Sequence, residues 1–503
     1  MPVRNEARDA GSDATLPNAA EASPPDAAPA ANAAIAPDAA APLDTRCGTP
    51  ASAVQCSESL LGHDELYRIL LADLEAQRPE DQPFTRYVGL VNRRNAGVCG
   101  AALDTERWAM NKLLNSVSTE FEIALPEAID AEQTIYRIDI RRYGWDRLVE
   151  MDGANFNDGW EAIISTSPYA IEFQGGAAAR LAQSMLTFLP YLNLDALLDV
   201  AGFGSVYYAL IDAGSGEQPN VYDIERAWDI DLSANLARPG VVKAAGFRGS
   251  SVSTQPRVVQ RHPFAADRVY WMVLDLDPEY EANDSIFADP LGFAYAGGFS
   301  IVSLPNLLHG YLAWAADGRR LDTSSFLFDT SGPIRSAVSC MGCHLDGIVP
   351  VVDQVRAYVD ANPTNYAPEE ATAIQELYVP AVEMNAAIAT DQRVYQAATL
   401  ELGIPLGCGD PVSALARRFE RPLTLQDALA DLGVTRAAFE AALPRLEPSM
   451  AGLLNVGQLE RASFTGLYAA TLCAVIGQNG VDAGATANVP SAAFCEAALS
   501  QIQ

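Results

Sequence analysis

Histidine and methionine are scarce: 4 and 8 among 503 residues, so side chains able to bind iron or another soft metal are few and each can be located. Basic residues are scarce too, with 33 Lys and Arg against 64 Asp and Glu and a formal net charge of −31. Such a surface repels phosphate backbones, which argues against nucleic acid as a partner, and it favours encounter with a basic protein. No apolar run approaches the ~18 residues that a transmembrane helix requires. No compact Leu- and Ile-rich segment follows the charged start, so no secretory leader is legible. G-x-S-x-G, Walker and H-E-x-x-H patterns are all missing, which leaves hydrolase and NTPase chemistry without a motif.

Cysteine is the exception, with eight present. Six of them, Cys47, Cys56, Cys99, Cys408, Cys473 and Cys495, flank the middle of the chain. Their even number fits up to three disulfides in an oxidising compartment, although buried thiols are the plainer alternative. The short Cys47–Cys56 loop is the natural local pair, and spacing alone does not choose among the other pairings.

The remaining two lie in Cys340-Met341-Gly342-Cys343-His344, which reads C-x-x-C-H. This is the attachment signature of c-type haem. Two cysteines three apart can form thioethers to the two vinyl groups of one porphyrin, and the next residue is then held where its imidazole can bind the iron. A thioredoxin-like redox pair is one alternative, but it wants a βαβ setting, whereas Ser325–Ser339 reads as strand and loop. Half of a zinc site is another, but no second C-x-x-C and no H-x3-5-H follows. The reading is therefore haem c bound covalently to Cys340 and Cys343, with His344 as proximal ligand to the iron.

The opposite side of the iron decides what such a protein does. A second protein ligand suits electron transfer, and an open position admits peroxide, oxygen or nitric oxide. Among the other histidines, His63 lies at the start of a helix, and His309 reads as a satisfied hairpin residue. His262, just before the β-rich stretch, is the favoured distal histidine. Met384 is the methionine candidate, although it also fits the apolar stripe of a helix. Met272 lies in a strand, and Met341 lies inside the attachment loop, which argues against it as a ligand. The acidic run Asp275–Glu281 lacks the Gly and terminal Glu of a calcium loop and reads as a solvated strand end.

Taken in order, residues 1–46 are an Ala-, Pro- and Asp-rich tether without periodicity, expected to be disordered. Residues 47–240 form a mixed, helix-rich region. Apolar stripes predict helices over Leu60–Glu75 and around Trp108–Val117, and Glu132–Arg142 alternates as a half-buried strand. The apolar stretch 177–212 is helical, broken by Pro190 and the Gly202/Gly204 pair. Residues 241–349 are β-rich and lead into the C-x-x-C-H motif, with strands at Val269–Leu276, Gly298–Leu304, Gly310–Ala315 and Phe326–Phe328, and a hairpin turn at Asp317-Gly318. Residues 350–503 are helical, over Pro350–Ala361, Glu369–Leu402 and Leu423–Leu443, with Thr424 as an N-cap. The fold class is thus α+β: a mixed N-terminal part, a central antiparallel β region ending in the haem loop, and a helical C-terminal part.

Several stretches resemble a group of large c-type cytochrome proteins of myxobacteria and planctomycetes. They are Tyr136–Asp146, Ala245–Ser250, Gln260–His262, Ala288–Gly292, Gly297–Asn306, Ala337–His344 and Pro411–Phe419, in similar order. The resemblance implies a haem protein attached through Cys340 and Cys343 with His344 as proximal ligand, and it brings no settled reaction. In that group a histidine near position 262 recurs, while the position of His309 is often Gln. Because c-type haem is attached outside the cytoplasm, the expected location is periplasmic or at the cell surface, which calls for a leader this sequence does not show. Three functions follow as expectations. The first is a cytochrome carrying single electrons to or from a partner protein, one with a basic surface fitting best. The second is a peroxidase- or oxidase-like haem enzyme with an open distal site. The third is a haem sensor or structural-haem module.

Overall fold

The computed structural model describes residues 59–213, 220–250, 252–253, 255–265, 267–276, 286–329, 332–335, 337–476 and 488–500. The 1–46 tether, Cys47, Cys56 and most of the acidic run lie outside them.

The fold is α+β. The first helix, α1 (His63–Ala76), buries Leu66, Tyr67, Leu70, Leu71 and Leu74, the i, i+3/i+4 stripe its sequence shows. Strand β1 (Thr85–Gly89) sits centrally in a four-stranded sheet. It pairs antiparallel with β3 (Ile135–Asp139), which carries the short edge strand β2 (Glu127–Ala128), and parallel with β4 (Tyr191–Asn193). Between them lies α2 (Asp104–Ser116). The apolar stretch 177–212 resolves into α3 (Gly176–Met185), β4, α4 (Leu194–Ala201) and α5 (Gly204–Leu210), with breaks at Pro190 and at Gly202–Phe203.

The central feature is a five-stranded antiparallel meander: β5 (Lys243–Arg248), β6 (Pro256–Phe264), β7 (Arg268–Leu276), β8 (Tyr295–Ser303) and β9 (His309–Ala315), paired in chain order. Side chains alternate between the two faces, so register assigns each residue to one side. His262, Tyr270, Val302 and Gly310 form one cross-strand row, and the adjacent row is Arg261, Trp271, Ile301 and Tyr311. The outer edge of β9 is not left open, because the hydroxyls of Tyr207 and Tyr208 on α5 accept the backbone N–H groups of Tyr311 and Ala313 at 2.9 and 3.3 Å. The turn at Asp317-Gly318 forms as its sequence predicts, but the returning chain joins β9 at an isolated Trp314–Arg320 bridge and does not continue as a sixth strand of the meander. It goes on instead into the separate hairpin of β10 (Thr323–Asp329) and β11 (Gly332–Arg335).

After the hairpin comes the one-and-a-half-turn helix α6 (Val338–Cys343), which holds both motif cysteines. Helices α7 (Val355–Ala361), α8 (Pro368–Leu377) and α9 (Ala381–Glu401) follow. The periodic stretch 369–402 is thus two helices, separated where Pro380, unable to donate a backbone hydrogen bond, starts the second. Then come α10 (Pro411–Phe419), α11 (Leu425–Leu432), α12 (Arg436–Ala442), α13 (Arg461–Ile476) and α14 (Ala492–Ser500). Thr424 caps α11 in a reciprocal box with Asp427, and Gly433 ends it at φ 63°. One hydrophobic core takes residues from Val88 to Phe419, joining the four-stranded sheet, the meander and helices α6, α9 and α10. A second joins α1 and α3 to α11–α13. Among the described residues no helix is long and apolar enough to cross a membrane.

Candidate functional site

Helix α6 is short and tightly held. Ala337, immediately before it, is buried at φ 70° and ψ −94°, an unfavourable conformation for a residue with a Cβ. The helix packs on α10, where the Ser413 hydroxyl donates to the Val338 carbonyl at 3.1 Å. A Cβ at Gly342 would lie 2.9 Å from that hydroxyl oxygen, so a small residue between the two cysteines lets the helices meet. Neither Cys340 nor Cys343 is in a disulfide; Cys340 is half-buried and Cys343 exposed. By contrast Cys473 bonds to Cys495, and Cys99 and Cys408 are also disulfide-bonded.

His344 follows at the end of the helix. Its Nδ1 lies 3.1 Å from the Gly347 carbonyl, and a carbonyl only accepts, so Nδ1 carries the proton and Nε2 keeps its lone pair. Burial, chiefly, pushes the His344 pKa down to about 4, with Arg257 adding to the effect against the Gly347 hydrogen bond, so the ring is neutral at ordinary pH. The loop behind it is strapped to α9: Gln392 donates to the Ile348 carbonyl at 2.8 Å and Gln396 to the Asp346 carbonyl at 3.3 Å. Gly347, at φ 108°, approaches Gln392 and Tyr395 closely enough that a side chain there would be strained as well as crowded.

The meander presents one face to this loop. Tyr311 on β9 has its ring centroid 6.2 Å from that of His344. His309, two residues earlier and on the same face, lies 6.1 Å from the Tyr311 ring and stacks on Tyr395 of α9 at 4.1 Å. The Tyr395 hydroxyl accepts from Lys112 Nζ of α2 at 2.8 Å, and Lys112 is paired with Asp410, which caps α10 through the Ser413 N–H. Burial works against the Lys112 ammonium, but the Tyr395 and Asp410 oxygens outweigh it and its pKa is raised. Helix α9 is clamped to the same face by Asp391, which accepts from both Arg261 nitrogens at 2.8 and 2.9 Å and from Trp271 Nε1 at 2.9 Å. Asp275, read from sequence as part of a solvated strand end, is instead buried and paired with Arg257 at 2.7 Å.

Among the sequence candidates, the structure brings together Cys340, Cys343 and His344. It does not bring His262 to them. That side chain is fully buried on the far face of the meander, its Nε2 3.1 Å from Gln260 Oε1. Met384 is also remote: it shares the buried stripe of α9 with Tyr395 but lies eleven residues earlier, about 16 Å along the axis at 1.5 Å per residue. Its neighbour Glu383 pairs with Lys243 of β5, the edge of the meander opposite His309. His309 is not a satisfied hairpin residue, since its Nδ1 is buried without a hydrogen-bond partner. Strand parity in the run His309–Ala315 could have flagged it, but only once the face turned to the motif was known.

The residues fit a covalently held haem better than the alternatives. Burial pushes the Cys340 thiol up to about 12, whereas a redox pair needs a thiol whose pKa is lowered. Among the described residues no three His, Cys, Asp or Glu side chains converge as a metal-ion site. A haem asks less, because porphyrin nitrogens fill the equatorial positions and the protein supplies axial ligands alone. A cavity of about 60 Å³ lined by Tyr67, Phe173, Tyr191 and Tyr468 lies elsewhere, between α1 and α13. No protein-family model matches the chain, and neither a curated protein nor a solved structure is significantly similar to it.

Proposed function

We propose that this chain is an envelope c-type cytochrome that holds one haem and carries single electrons. The observation that carries the reading is the state of the pentapeptide. Two thiols outside any disulfide stand one turn apart on α6, and the imidazole that follows is neutral, with its Nδ1 proton committed to Gly347 and Nε2 left to bind. Cys340 and Cys343 would hold the porphyrin edge, and His344 the iron. When bound, haem supplies a one-electron iron couple. The protein's own contribution is orientation: Gly347 fixes the imidazole tautomer, and Gln392 and Gln396 tie the loop to α9, the kind of support that keeps a ligating ring in place. The exposed Cys343 leaves that end of the site open to a docking partner. The charge of −31 favours a basic one, and the Cys473–Cys495 disulfide favours an oxidising compartment.

The test is expression with a secretion leader in a host that has haem-attachment machinery, followed by a haem stain on a denaturing gel and a reduced pyridine spectrum. The expected result is one covalent haem per chain, absent from the Cys340→Ala/Cys343→Ala variant. Exported, folded protein without covalent haem would overturn the proposal.

A further inference from the structure

Resting on that haem reading, we propose that His309 supplies the second axial ligand to the iron, so that the site is six-coordinate and built for electron transfer rather than for binding small molecules. Of the three histidines outside the motif, His309 alone is placed with His344. His63 belongs to the other core, stacked on Phe173 with Nε2 bonded to the Leu432 carbonyl at 2.9 Å. His262 lies across the sheet. His309 and His344 both flank the Tyr311 ring, at 6.1 and 6.2 Å between centroids. His309 is 3 % exposed, and its Nδ1 has no hydrogen-bond partner, which is costly for a buried polar atom and marks a ring still lacking a contact.

Its surroundings fix it in place. Tyr395 stacks on its face, Lys112 holds the Tyr395 hydroxyl, and Asp410 joins Lys112 to the cap of α10, the helix on which α6 is packed. A single chain of contacts therefore runs from the ring of His309 to the helix bearing both cysteines. Tyr395 and Lys112 are positioning residues in this arrangement.

The experiment compares the haem-loaded full chain with its His309→Ala and His262→Ala variants by optical and electron-paramagnetic spectroscopy. The wild type is expected to be low-spin in both oxidation states, without the red-edge band of sulfur–iron ligation, and to bind carbon monoxide poorly when reduced. His309→Ala is expected to become high-spin and to bind carbon monoxide readily. Added imidazole should restore its low-spin spectrum, and a far-UV circular-dichroism spectrum matching the wild type separates loss of the ligand from misfolding. His262→Ala should keep the wild-type spectrum. If His309→Ala retains covalent haem and stays low-spin, the assignment of His309 is wrong while the haem reading stands. If the exported wild type has no covalent haem, the haem reading fails and takes the ligand with it.

Discussion

The two faces of the meander each bury a histidine whose Nδ1 lacks a partner, yet the two rings have different neighbours. His309 looks toward α6, α9 and the C-x-x-C-H loop, among Tyr311, Tyr395 and His344. On the other face, His262 shares its row with Tyr270, whose hydroxyl donates to Glu225 and accepts from Ser300, which in turn accepts from Trp314 Nε1. Among the described residues, that face is a buried polar nest with no thiol and no second imidazole in it. Burial and an unsatisfied nitrogen are therefore not enough to suggest a ligand. What separates the two histidines is the company that strand parity gives them.

The sharpest way to break this contrast is to remove the thiols. Cys340→Ala/Cys343→Ala is expected to lose all covalent haem on a denaturing gel, while the far-face network of Tyr270, Glu225 and Ser300 is untouched. Next in size is Lys112→Met, on the motif side. It would leave the Asp410 carboxylate, only 1 % exposed, without its cation. Breaking a buried pair by removing one partner costs about 3–5 kcal/mol, and urea denaturation should show that loss. With haem bound, the same variant should also disturb the low-spin spectrum, because Tyr395 loses the donor that fixes it beneath His309.

The far face should reveal itself through pH instead. Burial pushes His262 down to about 4, from an ordinary value near 6.5. Between those limits the unfolded chain takes up a proton that the folded chain refuses, so stability is full above the upper value and falls as pH drops toward the lower. The total is about 3 kcal/mol, and His262→Gln should remove that share of the acid slope. Glu225 works in the opposite sense. Burial, the largest influence, outweighs the Tyr270 hydrogen bond and raises it to about 7. The folded state thus keeps a proton that the unfolded state releases, and stability falls as pH rises from the ordinary carboxylate range to about 7. Glu225→Gln should flatten that second slope. Denaturation midpoints followed from pH 4 to 8 in both variants test the pair, and an unchanged acid slope in His262→Gln would contradict the burial argument.

Much of this architecture is legible in sequence where the signal is local. The C-x-x-C-H spacing, the α1 stripe, the Thr424 cap and the strand runs from Val269 to Ala315 each depend on residues a few positions apart. What fails is long-range. Sequence favours His262 because His309 reads as a satisfied hairpin residue, but a strand residue faces one side only, and the side turned to the motif is set by Asp391 of α9, which clamps that helix over Arg261 and Trp271. The Asp317-Gly318 turn is correct as a turn, yet the partner of the next strand is Gly332–Arg335 rather than β9. Asp275 looks solvated in sequence because its neighbours are acidic, and its Arg257 partner lies eighteen positions away on the adjacent strand.

The smallest expected effect belongs to Met384, and it tests whether the motif-side face is selective along its length as well as between its sides. Met384 and Tyr395 lie on one buried stripe of α9, so periodicity makes them equivalent. Position along the helix does not: Tyr395 lies beneath His309 at one edge of the meander, and Met384 follows Glu383, which pairs with Lys243 at the other. A thioether about 16 Å up the axis acts as core packing, and Met384→Leu conserves volume, so the cost should stay below about 1.5 kcal/mol. The haem spectrum of that variant should match the wild type in both oxidation states. A change in spin state on losing the sulfur would mean that the iron sits near the β5 edge, and the contacts joining His309, Tyr395 and Lys112 would then need another explanation.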